Sequence, residues 1–265
     1  MGSAFLEENI SNGRDVIFTL TRGYGWLRKY RYRFLIRRNL ALKKVLLYGP
    51  HVYDQILFHE GNIGAFDQFL IKFFSNDFSI QFVNISEDFR IPPGLIWSGM
   101  NPFGVGYSLM CRFNYLHVWK YLKGYGTAIR IDEDCELLQF QNSDIKDILI
   151  TGAISEEAYL PTNESLLPYL ESFGLNAFYD HKFPYTNVYA TRVEFWLRKD
   201  VQDFLKGVAS QELSLEDRWG DLPVLGVALK AFGGWKSDQG IDPTISYRHL
   251  SHNALVRGAR SSQFS

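Results

Sequence analysis

The chain has 265 residues, of which 46% are hydrophobic and 22% charged, so it can bury a substantial core and is not disordered. Lys and Arg (28) nearly balance Asp and Glu (29), and this balance gives no support for a nucleic-acid partner. Two cysteines are too few for a disulfide framework or a thiolate metal site, which favours a reducing, cytosol-like compartment.

The ends of the chain carry little that would pack. Residues 1–14 are polar and lack the apolar core of a secretion signal, and residues 258–265 are rich in serine. No apolar run is long enough to span a membrane. We therefore expect a flexible N-terminus, one domain over residues 15–257, and a flexible tail.

In the first third of the chain, segments with the apolar pattern of a strand alternate with segments that have the apolar pattern of a helix. Buried strands are predicted at residues 15–24, 53–60 and 79–85, and helices at 30–44 and 65–74. This order predicts a mostly parallel sheet with right-handed crossovers, an α/β fold. The first strand ends in a polar loop with Thr21, Arg22 and Tyr24, which is either a nucleotide contact or an ordinary turn.

The helix predicted at residues 30–44 has a basic outer face. Such a face is usually solvated. The functional alternative is a surface for membrane phosphate or for an anionic acceptor.

Three consecutive acids follow a buried strand in the middle of the chain. A helix is predicted at residues 107–122 and a strand at 127–131, which leads directly into Asp132, Glu133 and Asp134. Ligands of open α/β sheets bind at the carboxyl ends of strands. On an extended segment Asp132 and Asp134 point the same way and can share Mg²⁺ or Mn²⁺, which can hold a diphosphate. The alternative for this D-x-D pattern is a solvated turn.

The second half adds further acids and two histidines. A strand pair, or a strand and a turn, is predicted at residues 138–155, and helices at 162–173, 200–208 and 224–232. The aromatic and polar stretch 183–196 is either a strand with one wet face or a groove for sugar hydroxyls. Asp217 and Asp221 flank Trp219 before the last helix, where Asp221 can serve as a helix cap. His249 and His252 near the end are candidate metal ligands or proton carriers.

Four segments in this order together resemble the fungal α-1,2-mannosyltransferase family, which builds mannoprotein glycans in the Golgi. The resemblance covers roughly residues 107–249. Its most specific piece is Arg218-Trp219-Gly220-Asp221-x-Pro223-Val224. The chain departs from the family in having Asp132-Glu133-Asp134 for a Glu-Pro-Asp-like motif and Asp217 for a glutamate. The segments are 107–114, 130–134, 217–224 and 245–249.

The resemblance implies a GT-A-type fold with a nucleotide-binding half (residues 15–135) and an acceptor half (136–257). It also implies a nucleotide-sugar donor, with GDP-mannose favoured over a UDP-sugar, Mn²⁺ (or Mg²⁺), and an oligosaccharide or glycoprotein acceptor. Transfer would retain the anomeric configuration.

Carried over position by position, the resemblance assigns Asp134 and His249 to the metal and places Asp132 beside the ribose or the metal. Tyr107 and Arg112 lie near the donor, and Asp217 and Asp221 near the reacting sugar or the acceptor hydroxyl. We accordingly expect Asp217, Asp221 and Tyr107 to be catalytic. The donor-binding set is Thr21, Arg22, Tyr24, Arg112, Asp132 and Glu133.

The sequence leaves the cellular compartment open, and it is compatible with two other functions. Without an anchor, a soluble, cytoplasmic relative acting on a cytosolic glycan is expected, or a Golgi lumenal protein if an N-terminal anchor was removed. One alternative is a glycoside hydrolase that pairs Asp217 with Asp134. The other is a non-catalytic carbohydrate-binding module, which would not require the acid triplet. The sequence does not indicate the oligomeric state.

Overall fold

The computed structural model describes residues 14–24, 32–47, 52–77, 79–94, 103–140, 147–156, 165–217, 219–237, 240–251 and 254–257. Within these ranges the chain forms a mixed α/β structure. Its strands are β1 (Asp15–Leu20), β2 (Tyr53–His59), β3 (Gln81–Asn84), β4 (Thr127–Ile131), β5 (Cys135–Gln139), β6 (Leu149–Thr151), β7 (Ile154–Glu156), β8 (Lys182–Pro184), β9 (Val188–Arg192), β10 (Ser246–His249) and β11 (Ala254–Arg257).

The central sheet has six strands in the order β3-β2-β1-β4-β9-β6. The first four are parallel to one another, as the sequence predicts, while β9 and β6 add two antiparallel pairings. A three-stranded sheet, β11-β10-β5, and a two-stranded sheet, β7-β8, lie beside it. The carboxyl ends of β1, β2, β3 and β4 therefore share one edge of the central sheet.

Helices connect and cover the strands. The predicted helix 65–74 has those bounds in the structure, and the one predicted at 107–122 begins at Val105 and contains a π-helical stretch, Phe113–His117. The helices are α1 (Arg33–Leu42, continued by a π-helical turn to Leu47), α2 (Ala65–Phe74), α3 (Val105–Arg112), α4 (Val118–Tyr121), α5 (Leu166–Ser172), α6 (Val193–Leu197), α7 (Lys199–Ala209), α8 (Leu213–Glu216) and α9 (Asp221–Gly233).

The stretch 183–196 differs from the predicted strand with one wet face. It holds the end of β8, then β9, then the start of α6. Strand β9 is buried at Val188, Tyr189, Ala190 and Thr191, so both of its faces are covered. A strand that is covered on both faces need not alternate between apolar and polar residues, and the hydrogen-bonding side chains of this stretch concealed its burial in the sequence.

Both faces of the central sheet are buried along β1, β2, β4 and β9, whereas the edge strand β3 is partly exposed. On β1, Val16 and Phe18 belong to the larger core on one side, and Ile17 belongs to the core on the other side. This explains the continuous apolar run of β1, because a strand covered on both faces shows no alternation. The larger core includes Trp119 and Trp196, whose rings stack with centroids 4.8 Å apart. In the described part of the chain, no helix combines the length and the apolar character that crossing a bilayer requires.

Replacing Gly226 by alanine is expected to lower the free energy of unfolding by about 1–3 kcal/mol. Gly226 lies on α9 where the helix crosses β8, and an added Cβ would be 2.2 Å from Cδ1 of the buried Phe183. Urea unfolding measures the loss. The matched control is Gly106→Ala on α3, where nothing lies within 4 Å of the added Cβ. Equal stability of the two variants would contradict this close packing.

Candidate active site

The acid triplet is a tight turn at the carboxyl end of β4. The backbone N–H of Cys135 donates to the carbonyl oxygen of Asp132 at 3.0 Å, and β5 begins at Cys135. The turn carries the chain from the central sheet into the three-stranded sheet β11-β10-β5. The alternation of an extended strand does not continue through such a turn, so each of the three acids makes its own contact.

Glu133 holds the loop that follows β1. Its carboxylate accepts hydrogen bonds from Thr21 Oγ1 at 2.6 Å and from the Tyr24 hydroxyl at 2.9 Å. The backbone N–H of Arg22 lies 3.4 Å from the same carboxylate, and the Arg22 guanidinium Nε lies 3.6 Å from it. Because β1 and β4 are neighbours in the sheet, their carboxyl ends bring these four predicted residues together.

Asp132 and Asp221 are bridged by a buried arginine within β4. Arg130 Nε donates to Asp132 Oδ1 at 3.0 Å, and Arg130 Nη1 donates to Asp221 Oδ2 at 2.6 Å. The side chains of Arg130 and Asp221 are 7% and 8% exposed. Burial raises the pKa of Asp132 to about 6; Arg130 opposes the rise, and Asp134 and Asp221 add to it.

The helix-cap explanation for Asp221 does not hold. Gly220 is the N-cap residue of α9, and Asp221 is the first residue of the helix. Its carboxylate pairs with Arg130, 91 positions earlier in the chain. The helix N-terminus still favours a negative charge here.

Asp134 meets the imidazole of His249. Asp134 Oδ2 lies 3.6 Å from His249 Nδ1, and Ser251 Oγ lies 3.1 Å from the same ring nitrogen. Strand β10 pairs antiparallel with β5 and sets His249 opposite Cys135, while the Leu250 N–H donates to the Asp134 carbonyl oxygen at 2.7 Å. Backbone pairing thus fixes the tail beside the acid turn.

This corner of the structure offers ligands for a hard divalent cation. Atoms of Asp134, Cys135 and His249 lie within 4.8 Å of one another. Burial raises the pKa of the Cys135 thiol, with Asp132 and Asp134 adding to the rise. Sulfur is also a soft ligand, which does not suit Mn²⁺ or Mg²⁺. The 3.6 Å between Asp134 and His249 is close to the roughly 3.0–3.4 Å that separates neighbouring ligands bound about 2.1 Å from one ion. The oxygen and nitrogen donors fit Mn²⁺ or Mg²⁺.

Asp217 is held by a serine and a tryptophan. Ser165 Oγ donates to Asp217 Oδ2, and Trp219 Nε1 donates to Ser165 Oγ at 2.7 Å. Trp219 is buried and Asp217 is partly buried, directly after α8. This pairing of Asp217 and Trp219 through Ser165 is not visible in the sequence. Arg218 of the same motif lies outside the described residues.

Tyr107 and Arg112 lie on α3 but face different surroundings. The Tyr107 hydroxyl contacts the thiol of Cys111 one turn later, and Cys111 lies beside Asp221 and Arg130. Burial raises the pKa of that thiol, and the Asp221 carboxylate adds to the rise. Arg112 points to a different side of the helix from Cys111, and it lines a cleft of about 380 Å³. The cleft is also lined by Glu87, Asp88, Arg90, Leu116, His117, Lys206, Ala209 and Ser210.

Arg130 is the central residue that sequence reasoning did not assign to the site. It was visible as an arginine between isoleucines in a strand predicted to be buried. A buried guanidinium requires a hydrogen-bonded partner, so such a residue predicts a nearby carboxylate. The sequence does not identify that carboxylate, since Asp221 is distant in the chain.

The fold is of the GT-A type, an α/β fold with a mostly parallel sheet, and polar residues lie at the carboxyl edge of that sheet. The chain is similar in fold to core-mannan synthase A (CmsA/Ktr4) from Aspergillus fumigatus in its Mn/GDP form, with a TM-score of 0.68 and 14% identity over 91% of this chain and 75% of that one. It is also similar to the mannosyltransferase Ktr4p from S. cerevisiae, with a TM-score of 0.70 and 16% identity over 89% and 70% of the two chains. For Ktr4p in complex with GDP the TM-score is 0.69 and the identity is 17%, over 89% of this chain and 71% of that one.

The predicted fold and the predicted resemblance to fungal mannosyltransferases are therefore confirmed at the level of the fold. No protein-family model matches the sequence, and no curated protein matches it. The roles of individual residues stay predictions, because identities of 14–17% carry the fold and no more.

Proposed function

We propose that this chain is a divalent-cation-dependent glycosyltransferase that moves a sugar from a nucleoside-diphosphate sugar to a hydroxyl of a glycan acceptor. Mannose from GDP-mannose is the favoured donor. The observation that carries the proposal is the meeting, at the acid turn, of the loop after β1, the end of β4 and the tail strand β10. In open α/β sheets this edge receives the nucleotide.

The donor would lie against the loop after β1. Glu133 orients Thr21 and Tyr24 by hydrogen bonds, and this leaves the Tyr24 ring in a fixed position for a nucleotide. The Arg22 side chain is 70% exposed, so its guanidinium is available for a charge-assisted contact with phosphate. We assign this contact to Arg22, since Arg112 lines a cleft with Glu87, Asp88 and Lys206.

Asp134 and His249 would hold the cation, Mn²⁺ or Mg²⁺, with Asp132 close by. When bound, the cation supplies Lewis-acid stabilisation of the departing diphosphate. This assignment is supported by the oxygen and nitrogen donors of Asp134 and His249 and by the 3.6 Å between Asp134 Oδ2 and His249 Nδ1. The Ser251 hydroxyl, at 3.1 Å from His249 Nδ1, would give up this contact when Nδ1 binds the cation.

Asp217 is the carboxylate that we place nearest the reacting centre. The Ser165 hydroxyl and, through it, the Trp219 indole hold this carboxylate in one orientation. A fixed carboxylate can accept the proton of an acceptor hydroxyl or stabilise positive charge on the sugar. Asp221 is buried against Arg130 and acts as a positioning residue. Tyr107, next to Cys111 and Asp221, belongs to the same wall of the site.

A panel of donors tests this function. The purified chain is incubated with GDP-mannose, other GDP-sugars and UDP-sugars, with Mn²⁺ or with EDTA, and release of nucleoside diphosphate is measured. We expect release from GDP-mannose with Mn²⁺ and none with EDTA. Turnover of a UDP-sugar instead would keep the reaction class and change the donor.

Two results would contradict the proposed function. If every nucleotide sugar stays intact, and neither GDP nor UDP with Mn²⁺ raises the melting temperature, the proposal is wrong. Cleavage of a glycan without nucleotide or metal would instead establish a hydrolase.

A further inference from the structure

Helix α2 exposes a row of phenylalanines. Phe66, Phe69, Phe73 and Phe74 are 62%, 51%, 55% and 56% exposed, whereas Ile71 is fully buried. We call these four residues the phenylalanine face. Positions 66, 69 and 73 fall on one stripe of a helix, and residue 74 borders it. A contiguous apolar surface of this kind marks a contact with something other than water.

The rings form one surface. The centroids of Phe69 and Phe73 are 5.9 Å apart with nearly parallel planes, and those of Phe73 and Phe74 are 5.4 Å apart. The face lies on the outside of a helix that packs by Ile71 into a small core beneath it. A row of rings on the outer side of a helix is convex, so it fits a deformable apolar medium better than the flat surface of a folded partner.

The neighbouring helix is basic. Helices α1 and α2 lie side by side, joined by Asn39 Nδ2 to Ser75 Oγ at 2.9 Å and by Lys43 Nζ to the Asn76 carbonyl oxygen. Residues 32–47 hold five Arg and Lys and no acid. Arg38 is buried and Arg37 pairs with Glu136. The remaining three are Arg33, Lys43 and Lys44.

The phenylalanine face itself has a cation beside it. Lys72 lies on α2 between Phe69 and Phe73 in sequence, with its ammonium 5.8 Å from the centroid of the Phe82 ring. The two acids of this region are engaged locally: Asp67 accepts from the Tyr32 hydroxyl at 3.4 Å, and Asp77 accepts from the Ser79 hydroxyl at 2.6 Å. These two carboxylates keep their negative charge, but the four cations Arg33, Lys43, Lys44 and Lys72 outnumber them, so this part of the surface carries a net positive charge.

We propose that the phenylalanine face docks this chain on the surface of an anionic lipid bilayer. Phenylalanine rings enter the boundary between headgroups and acyl chains, and nearby Lys and Arg attract anionic headgroups. A second copy of this chain fits less well, because face-to-face contact would bring Arg33, Lys43, Lys44 and Lys72 of both copies together. The inference is independent of the proposed transferase reaction.

Vesicle sedimentation tests the proposal with the full chain. We expect binding to vesicles of phosphatidylcholine with phosphatidylserine, weaker binding to phosphatidylcholine alone, and release as salt rises. The double variant Phe69→Ser/Phe73→Ser should lower partitioning about tenfold or more, because two half-exposed rings no longer enter the bilayer. Phe173→Ser is the matched control, since Phe173 is 61% exposed at the end of α5, and its binding should equal that of the wild type.

A second variant keeps the test independent of any folding defect in the first. Arg33→Glu/Lys44→Glu, at two exposed positions of residues 32–47, should weaken binding to phosphatidylserine vesicles without changing the weak binding to phosphatidylcholine. The proposal is overturned if the wild-type chain does not sediment with anionic vesicles. It is equally overturned if Phe69→Ser/Phe73→Ser binds them like the wild type. A concentration-dependent dimer that this double variant abolishes would assign the face to a second copy instead.

Discussion

Replacing Asp134 by alanine is expected to lower sugar transfer by about a hundredfold or more. Asp134 offers the carboxylate that lies 3.6 Å from the His249 imidazole, and together they form the pair we assign to the cation. Loss of the carboxylate removes one of the two ligands, so the cation no longer has a fixed place beside the diphosphate. His249→Ala should act in the same direction.

Transfer rates at saturating donor, measured over a range of Mn²⁺ concentrations, check this prediction. The stabilisation of the chain by GDP with Mn²⁺ should decrease in parallel, which a purely structural role would not produce. Asp203→Ala is the matched control, because Asp203 on α7 is 57% exposed and pairs with Lys199 four residues earlier. Wild-type transfer by Asp134→Ala would contradict the metal assignment.

Several elements could be predicted from the sequence because one local pattern determines each of them. Strand β4 spans Thr127–Ile131, as predicted, since a β-branched run is bounded by Gly126 and by three acids. Helix α2 spans Ala65–Phe74, also as predicted. The parallel order of β1, β2 and β3 followed from their alternation with helices. The meeting of the loop with Thr21 and the end of β4 depends on the pairing of β1 with β4, which this alternation does not fix.

Contacts between segments that are far apart in the sequence could not be predicted from local patterns. Asp132, Glu133 and Asp134 contact different partners because the chain turns at Asp132, whereas the alternation of side chains holds only for extended backbone. His249 reaches Asp134 through the pairing of β10 with β5, and no local pattern encodes that register. The sequence singled out His249 among its six histidines through the family resemblance.

The two arginines near the site show the same limit. Arg112 and Cys111 are adjacent in α3, yet Cys111 lies beside Asp221 while Arg112 lines the cleft with His117. Successive residues on a helix point about 100° apart, so a motif alone does not indicate which of them faces the site. Arg130 was hidden for another reason. Its position in a buried strand suggested core, and its partner comes from α9.

Replacing Arg130 by methionine is expected to lower the free energy of unfolding by about 3–5 kcal/mol. Arg130 donates to both Asp132 and Asp221, and its guanidinium is almost fully buried. Methionine fills a similar volume but leaves two carboxylates close together with no cation between them. A buried charge that loses its partner is strongly destabilising, because the carboxylate cannot recover its hydration. Urea unfolding with linear extrapolation measures the change.

Arg198→Met is the matched control on the surface. Arg198 makes a two-pronged contact with Asp200, at 3.1 and 2.5 Å, but both side chains are nearly half exposed. Its loss should lower stability by less than about 1 kcal/mol. If Arg130→Met is no more destabilising than Arg198→Met, the buried bridge does not stabilise the fold.

A third variant separates charge from packing. Adding Asp132→Asn and Asp221→Asn to Arg130→Met removes the uncompensated charges, and most of the lost stability should return, since buried ion pairs are often replaceable by neutral groups. Sugar transfer should not return with it. Arg130 joins β4, which carries the acid turn, to α9, which follows Asp217, so the bridge would hold the side that we assign to the donor in place relative to the side that we assign to the acceptor. A triple variant that regained full transfer would show that this bridge serves the fold alone.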